Sequence, residues 1–197
     1  MKLGFLASHG GSNMQAILDR CADGSIAATP ALLVCNNPKA HAIERAALAG
    51  MPAKVLNGKT HPDLADLDAA ILQSMREAGV DLLILAGYMK KIGPQVLTAF
   101  QGKILNIHPS LLPKFGGHGM YGMRVHEAVL EAGESESGAT VHLVTEKFDE
   151  GPILQQAQVP VLENDTAESL QARVLEQEHR LYPDTIAKIA SGQISLS

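Results

Sequence analysis

Cysteine is scarce. Cys21 and Cys35 are too few for a disulfide framework and lack zinc-type spacing. No apolar run reaches the length of a membrane span. The opening residues, Met1 to Ala7, pass straight into a strand-like pattern and lack the longer apolar region of a secretory signal. Basic residues are not in excess, and a formal net charge of -5 argues against nucleic acid as the main partner. Internal repeats, low-complexity tracts and linker-like stretches are missing as well. These absences lead to the expectation of a cytoplasmic, metal-free protein with no membrane attachment.

What is present suffices for a packed core. At 197 residues, 46% hydrophobic and 19% charged, the chain reads as a single domain over 1–197. Strand-like runs cover Leu3–Ala7, Ala31–Cys35, Ala53–Leu56, Asp81–Ala86 and Ile104–His108. The fourth is apolar on both faces, as a central parallel strand must be. Helical segments separate them: one opening at Met14, then His41–Ala49 closed by Gly50, Asp63–Ala78 closed by Gly79, and Pro94–Phe100. Later come a helix over Val125–Ala132 and strands over Ala139–Thr145 and Ile153–Val161, suited to a hairpin or extended connection at the sheet's edge. Asp165–Glu168 has capping-box spacing with Asp165 as cap, ahead of a long helix in which Pro183 predicts a kink. The alternation predicts an α/β fold: a doubly wound, mostly parallel sheet with helices on both faces and an antiparallel strand at the C-terminal edge.

Three features fall at the carboxyl ends of these strands, where such sheets bind ligands. Ser8–Asn13 is a glycine-rich turn between a strand and a helix N-terminus, suited to an anion by its free N–H groups and the helix dipole. It lacks the P-loop lysine, and a plain turn with Ser12 or Asn13 as helix cap is the competing reading. Gly87–Gly93 forms a second loop. The third feature is the stretch Asn106-Ile107-His108-Pro109. A spacing of two puts Asn106 and His108 on one face of a strand, and Pro109 ends regular pairing. An amide beside an imidazole can hold an oxyanion or move a proton.

A carboxylate near His108 would orient its ring and favour the charged form. Asp149 and Glu150, in a turn bounded by Gly151 and Pro152, are both candidates. Of the other histidines, His9, His41, His61, His118 and His179 read as surface or capping residues, His142 as a hydrogen-bonded core residue, and His126 as one that could face the site. The glycine-dense Phe115–Gly122 reads as a mobile loop or lid. A serine hydrolase is excluded for want of a nucleophile elbow. A metal site of Asn106, His108 and Asp149 has no second histidine at zinc spacing.

The run Asn106-Ile107-His108-Pro109-Ser110-Leu111-Leu112-Pro113 resembles the signature of the 10-formyltetrahydrofolate-dependent formyltransferases. Ser137-Gly138-Ala139-Thr140-Val141-His142 and Asp149-Glu150-Gly151-Pro152-Ile153 resemble the family's second region. Gly11-Ser12-Asn13-Met14-Gln15-Ala16-Ile17, with Gln177-Glu178-His179 ahead of Tyr182-Pro183, is similar to the branch that acts on glycinamide ribonucleotide in purine synthesis. The resemblance spans essentially the whole chain. It implies a catalytic trio of Asn106, His108 and Asp149, with Asn106 and a protonated His108 stabilising a tetrahedral oxyanion. Gly11, Ser12 and Asn13 would hold the ribonucleotide phosphate and Glu178 the ribose. Met89, Lys90, Lys91, Ile92, Asn106, Leu143 and Val144 would border the folate, with 10-formyltetrahydrofolate as co-substrate and no metal. A free histidine titrates near about 6.5, and the resemblance implies that Asp149 raises this value. Two departures stand out. The loop after Lys114 is longer than the family's usual Pro-Gly turn, and His9 stands where a small residue is common.

Overall fold

Strand and helix alternate through the first half of the chain, as the apolar pattern predicts. The computed structural model describes residues 1–196. In chain order the elements are β1 (Lys2–Ala7), α1 (Ser12–Ala22), β2 (Thr29–Cys35), α2 (His41–Leu48), β3 (Ala53–Val55), α3 (Leu64–Glu77), β4 (Leu82–Leu85), α4 (Pro94–Ala99), β5 (Ile104–His108), α5 (Met123–Glu131), β6 (Glu136–Leu143), β7 (Ile153–Pro160) and α6 (Ala167–Ala190). The strands form one sheet in the order β3-β2-β1-β4-β5-β6-β7. The first five pair in parallel. β6 and β7 pair antiparallel, so the expected antiparallel edge is two strands wide.

The chain builds outward from β1 to β3, then returns to place β4 on the other side of β1. That reversal opens a crevice at the carboxyl ends of β1 and β4, where the connections leave in opposite directions. Side-chain alternation sorts the core into two layers. Leu3, Phe5, Leu105, Ile107, Val174 and Tyr182 pack on one face of the sheet. Leu6, Ile71, Leu83, Val96 and Ile104 pack on the other. Asn106 and His108 alternate with Leu105 and Ile107, and so share the face of Ile104. The hydroxyl of buried Tyr182 reaches the carbonyls of Leu105 at 2.9 Å and Leu85 at 3.2 Å, tying α6 to β5 and β4.

Two local expectations, both about helix caps, are corrected. The cap of α1 is Gly11, in the left-handed region at φ 68, rather than Ser12 or Asn13, and no side chain caps this helix. A Cβ at Gly11 would come within 2.9 Å of the Ala42 Cβ, so the turn's shape and its packing on α2 both require glycine. The cap of α6 is Thr166, in a reciprocal box with Ser169. Asp165 is instead occupied by the Leu162 N–H at 2.8 Å and the Arg173 guanidinium at 2.6 Å. Pro183 lies inside α6, which runs on to Ala190 with Leu181, Tyr182 and Ile186 buried around it. No helix among the described residues is long and apolar enough to cross a membrane.

Candidate active site

β5 delivers Asn106 and His108 to one face, and its antiparallel register with β6 sets His142 opposite Asn106 and Thr140 opposite His108. The Asn106 amide nitrogen lies 3.1 Å from His142 Nε2, and His142 Nδ1 lies 2.9 Å from the Leu143 carbonyl. After Pro109 the chain is held by buried polar groups. Thr140 donates to the Ser110 carbonyl at 2.6 Å and accepts from the Leu112 N–H at 3.0 Å, while Ser110 donates to the Lys114 carbonyl at 2.7 Å. These bonds bring Phe115 back over the strand end, where its carbonyl accepts from His108 Nε2 at 2.7 Å.

Asp149 closes the cluster from the β6–β7 connection. Its backbone is left-handed, at φ 57. One carboxylate oxygen accepts the Gly117 N–H at 3.0 Å and stands 3.5 Å from His108 Nδ1; the other stands 3.5 Å from His142 Nε2. The neighbouring Glu150 is exposed and pairs with Lys147 at 3.1 Å, so the choice left open between the two carboxylates falls to Asp149.

The charge balance departs from the expectation. Burial pulls the His108 imidazole below its ordinary value, and the pull of Asp149 and the Phe115 carbonyl in the other direction is smaller. The expected rise at His108, and with it a ring protonated at rest, is therefore corrected: water is stripped from the ring more completely than one carboxylate at 3.5 Å compensates. Burial pushes the Asp149 carboxyl up, but the groups around it, His108 and the Gly117 N–H among them, outweigh it and leave it below the usual carboxylate range. The buried His126 imidazole, on α5, is pushed down to about 4 by burial and then by His108, and its Nδ1 has no hydrogen-bond partner among the described residues.

The crevice at β1 and β4 holds the other expected residues. Gly11, Ser12 and Asn13 open α1, and Asn13 donates its amide to Glu178 of α6 at 2.7 Å. Burial lifts the Glu178 carboxyl to about 7, and the Asn13 bond opposes this. Pro109, His126 and Glu178 line a common cavity of about 260 Å³, which links the end of β5 to this corner. Ser8 joins the β1 and β4 loops, receiving the Met89 N–H on its hydroxyl at 2.8 Å and donating its own N–H to the Gly87 carbonyl at 3.1 Å. Met89, Lys90 and Lys91 are exposed, whereas Ile92 is buried. Ile92 and Val144 pack into the apolar layer on the Asn106 face. Leu143 does not join them: strand alternation sends its side chain into the opposite layer.

Residues 1–186 match the formyl transferase family model. The phosphoribosylglycinamide formyltransferase of Haemophilus influenzae is 40% identical over 99% of this chain and 90% of that protein. The chain belongs to the phosphoribosylglycinamide formyltransferase family. A chloroplastic member from Arabidopsis thaliana is 43% identical over 98% of this chain, which spans 66% of that protein. The crystal structure of glycinamide ribonucleotide transformylase 1 from Symbiobacterium toebii superposes with a TM-score of 0.93 at 43% identity, covering 100% of this chain and 91% of that one.

In this formyltransferase the cluster holds residues that the sequence did not single out. His142 read as a core histidine, and it is buried, but it touches Asn106 and faces Asp149. Phe115 and Gly117 read only as loop, yet their backbones hold His108 and Asp149. His9, His41 and His118 are exposed, and His61 and His179 half-buried. His118 lies edge-on to Phe148 with ring centres 6.0 Å apart, joining the loop over residues 115–122 to the one bearing Asp149.

Proposed function

We infer that this formyltransferase moves the formyl group of 10-formyltetrahydrofolate onto the glycyl amine of glycinamide ribonucleotide. The observation that carries this reading is the meeting of Asn106, His108 and Asp149 at a strand end that shares a cavity wall with Glu178. In this reading Gly11, Ser12 and Asn13 take the ribonucleotide phosphate at the start of α1, Glu178 takes a ribose hydroxyl, and Met89 to Ile92 with Val144 border the folate.

The amine nitrogen attacks the formyl carbon, and the carbonyl oxygen becomes an oxyanion. The Asn106 amide donates to that oxygen; one well-placed donor of this kind is worth roughly 3–4 kcal/mol. His108 enters neutral. Its Nε2–H is committed to the Phe115 carbonyl, which leaves Nδ1 to take the amine proton. The imidazolium so formed lies beside Asp149, which stabilises it until the proton passes to the folate nitrogen as the bond from that nitrogen to the formyl carbon breaks. The products are the formylated ribonucleotide and tetrahydrofolate.

The test follows the absorbance of the folate product with and without glycinamide ribonucleotide. Turnover that requires the ribonucleotide supports the transfer. Equal folate turnover in its absence overturns it in favour of hydrolysis, and tight ribonucleotide binding without turnover overturns it in favour of a binding protein.

A further inference from the structure

We propose that His142 is a positioning residue for Asn106: a neutral imidazole with its hydrogen on Nδ1 that turns the Asn106 amide so that its NH₂ group, and not its carbonyl, is held on the His142 side. The inference rests on the formyl-transfer reading only for its kinetic arm.

The derivation starts at a backbone carbonyl. The Leu143 oxygen can only accept, so His142 Nδ1, at 2.9 Å, carries a hydrogen. In a neutral ring Nε2 is then a lone-pair acceptor. The group nearest to it is the Asn106 side chain at 3.1 Å, within hydrogen-bond length, whereas the Asp149 oxygen at 3.5 Å is beyond it. An acceptor at Nε2 requires a donor opposite, and the only donor on that amide is its nitrogen. One N–H of Asn106 is therefore spent on His142, which fixes the amide plane, and the second N–H remains as the donor for an oxyanion. An imidazolium would present N–H at Nε2 instead and turn the amide over, bringing Oδ1 to His142.

The same tautomer apportions the carboxylate. Asp149 stands at equal distance from the two imidazoles, 3.5 Å from His108 Nδ1 and 3.5 Å from His142 Nε2. Because Nε2 offers no hydrogen, the Asp149 charge has no donor in His142 and is reserved for the proton that arrives on His108. β6 supplies the rigidity this needs: His142 is 2% exposed, and its strand is paired on both edges.

Two measurements test it. The first is the pair of ring ¹⁵N shifts of His142 in the ligand-free protein at neutral pH, read by long-range ¹H–¹⁵N correlation. A pyrrole-type Nδ1 and a pyridine-type Nε2 are expected. A pyrrole-type Nε2, or two equivalent protonated nitrogens, overturns the inference whatever the protein's activity. The second compares His142→Gln, whose carbonyl can reach the place of Nε2 and accept from Asn106, with His142→Leu, which fills the space and accepts nothing. The Leu variant is expected to lose about 10- to 100-fold in kcat with both KM values within about threefold, since a misdirected donor spoils the transition state and not ground-state binding. The Gln variant is expected to return to within about threefold of the parent. Equal losses in the two variants, or a loss carried by KM, reduce His142 to a packing residue. Absence of turnover in the parent protein would count against the transfer reading, and the ¹⁵N shifts would still decide the tautomer.

Discussion

Asn13 and Glu178, at the start of α1 and inside α6, share a hydrogen bond of 2.7 Å in a corner where the carboxyl is almost fully buried. A buried carboxyl with one amide donor is under-solvated, which is why burial lifts it to about 7. Its charge is tolerated at a cost to the fold.

Glu178→Gln keeps an acceptor for Asn13 and removes the charge. The native carboxyl titrates at about 7 and the unfolded one at its ordinary value of 4.5. Between those values unfolding releases a proton, so the native state loses stability as pH rises through this window, and the loss is complete above it. The Gln variant is expected to be more stable than the parent at pH 8 by about 3 kcal/mol and equal to it near pH 4. Ribonucleotide affinity is expected to fall about tenfold, as one ribose hydrogen bond weakens. Denaturant unfolding at the two pH values, with a binding titration, checks both halves. A variant no more stable at pH 8 than at pH 4, relative to the parent, would show that Glu178 is not desolvated.

Asp149→Asn preserves an acceptor for the Gly117 N–H but removes the carboxylate that stands beside His108. Without it, burial lowers the ring further, and the imidazolium that forms during transfer loses its counter-charge. The acidic limb of kcat/KM is expected to move to lower pH, because His108 must be neutral to accept the amine proton. The plateau kcat is expected to fall about 100-fold. A pH–rate profile decides it; an acidic limb that stays in place removes Asp149 from any role in tuning His108.

His126→Leu addresses acid stability. The native ring, at about 4, resists protonation, while the unfolded ring accepts a proton at its ordinary 6.5. Stability is thus fully present above about 6.5 and falls as pH drops toward 4. The Leu variant is expected to lose this slope and to exceed the parent near pH 4 by about 2–3 kcal/mol. Urea midpoints across this range test it, and parallel curves for the two proteins would mean that His126 gains a partner on protonation.

How much of this was legible in the sequence depended on how local the cause was. Asn106 and His108 sit two apart on a strand ended by a proline, a relationship complete within four residues, and the structure keeps it. The glycine turn, the β4 loop and this pair fall on one rim because strand-to-helix alternation dictates it. His142 escaped because its role arises from antiparallel register across 36 positions, which no spacing rule supplies. The state of His108 is hidden from the sequence for a related reason. Proximity to a carboxylate can be guessed from a motif, but the desolvation that outweighs it belongs to the packed whole. The cap of α6 failed more simply: Asp165 had the right type and spacing, but Arg173, two turns on, competes for it.

Phe115 and Gly117 hold His108 and Asp149 through backbone atoms, and Met123 begins the next helix. His118 is packed on Phe148 of the Asp149 loop, whereas residues 119–122 make no hydrogen bond to the side chain of His108 or Asp149. The segment is therefore divided into an anchored half, where any insertion would shift the reacting groups, and a free half, where length can drift. Its glycine-dense extension falls in and around the free half. That stretch is a natural splice point, where a reporter group or a foreign peptide could be grafted while the chemistry a few ångströms away keeps its alignment.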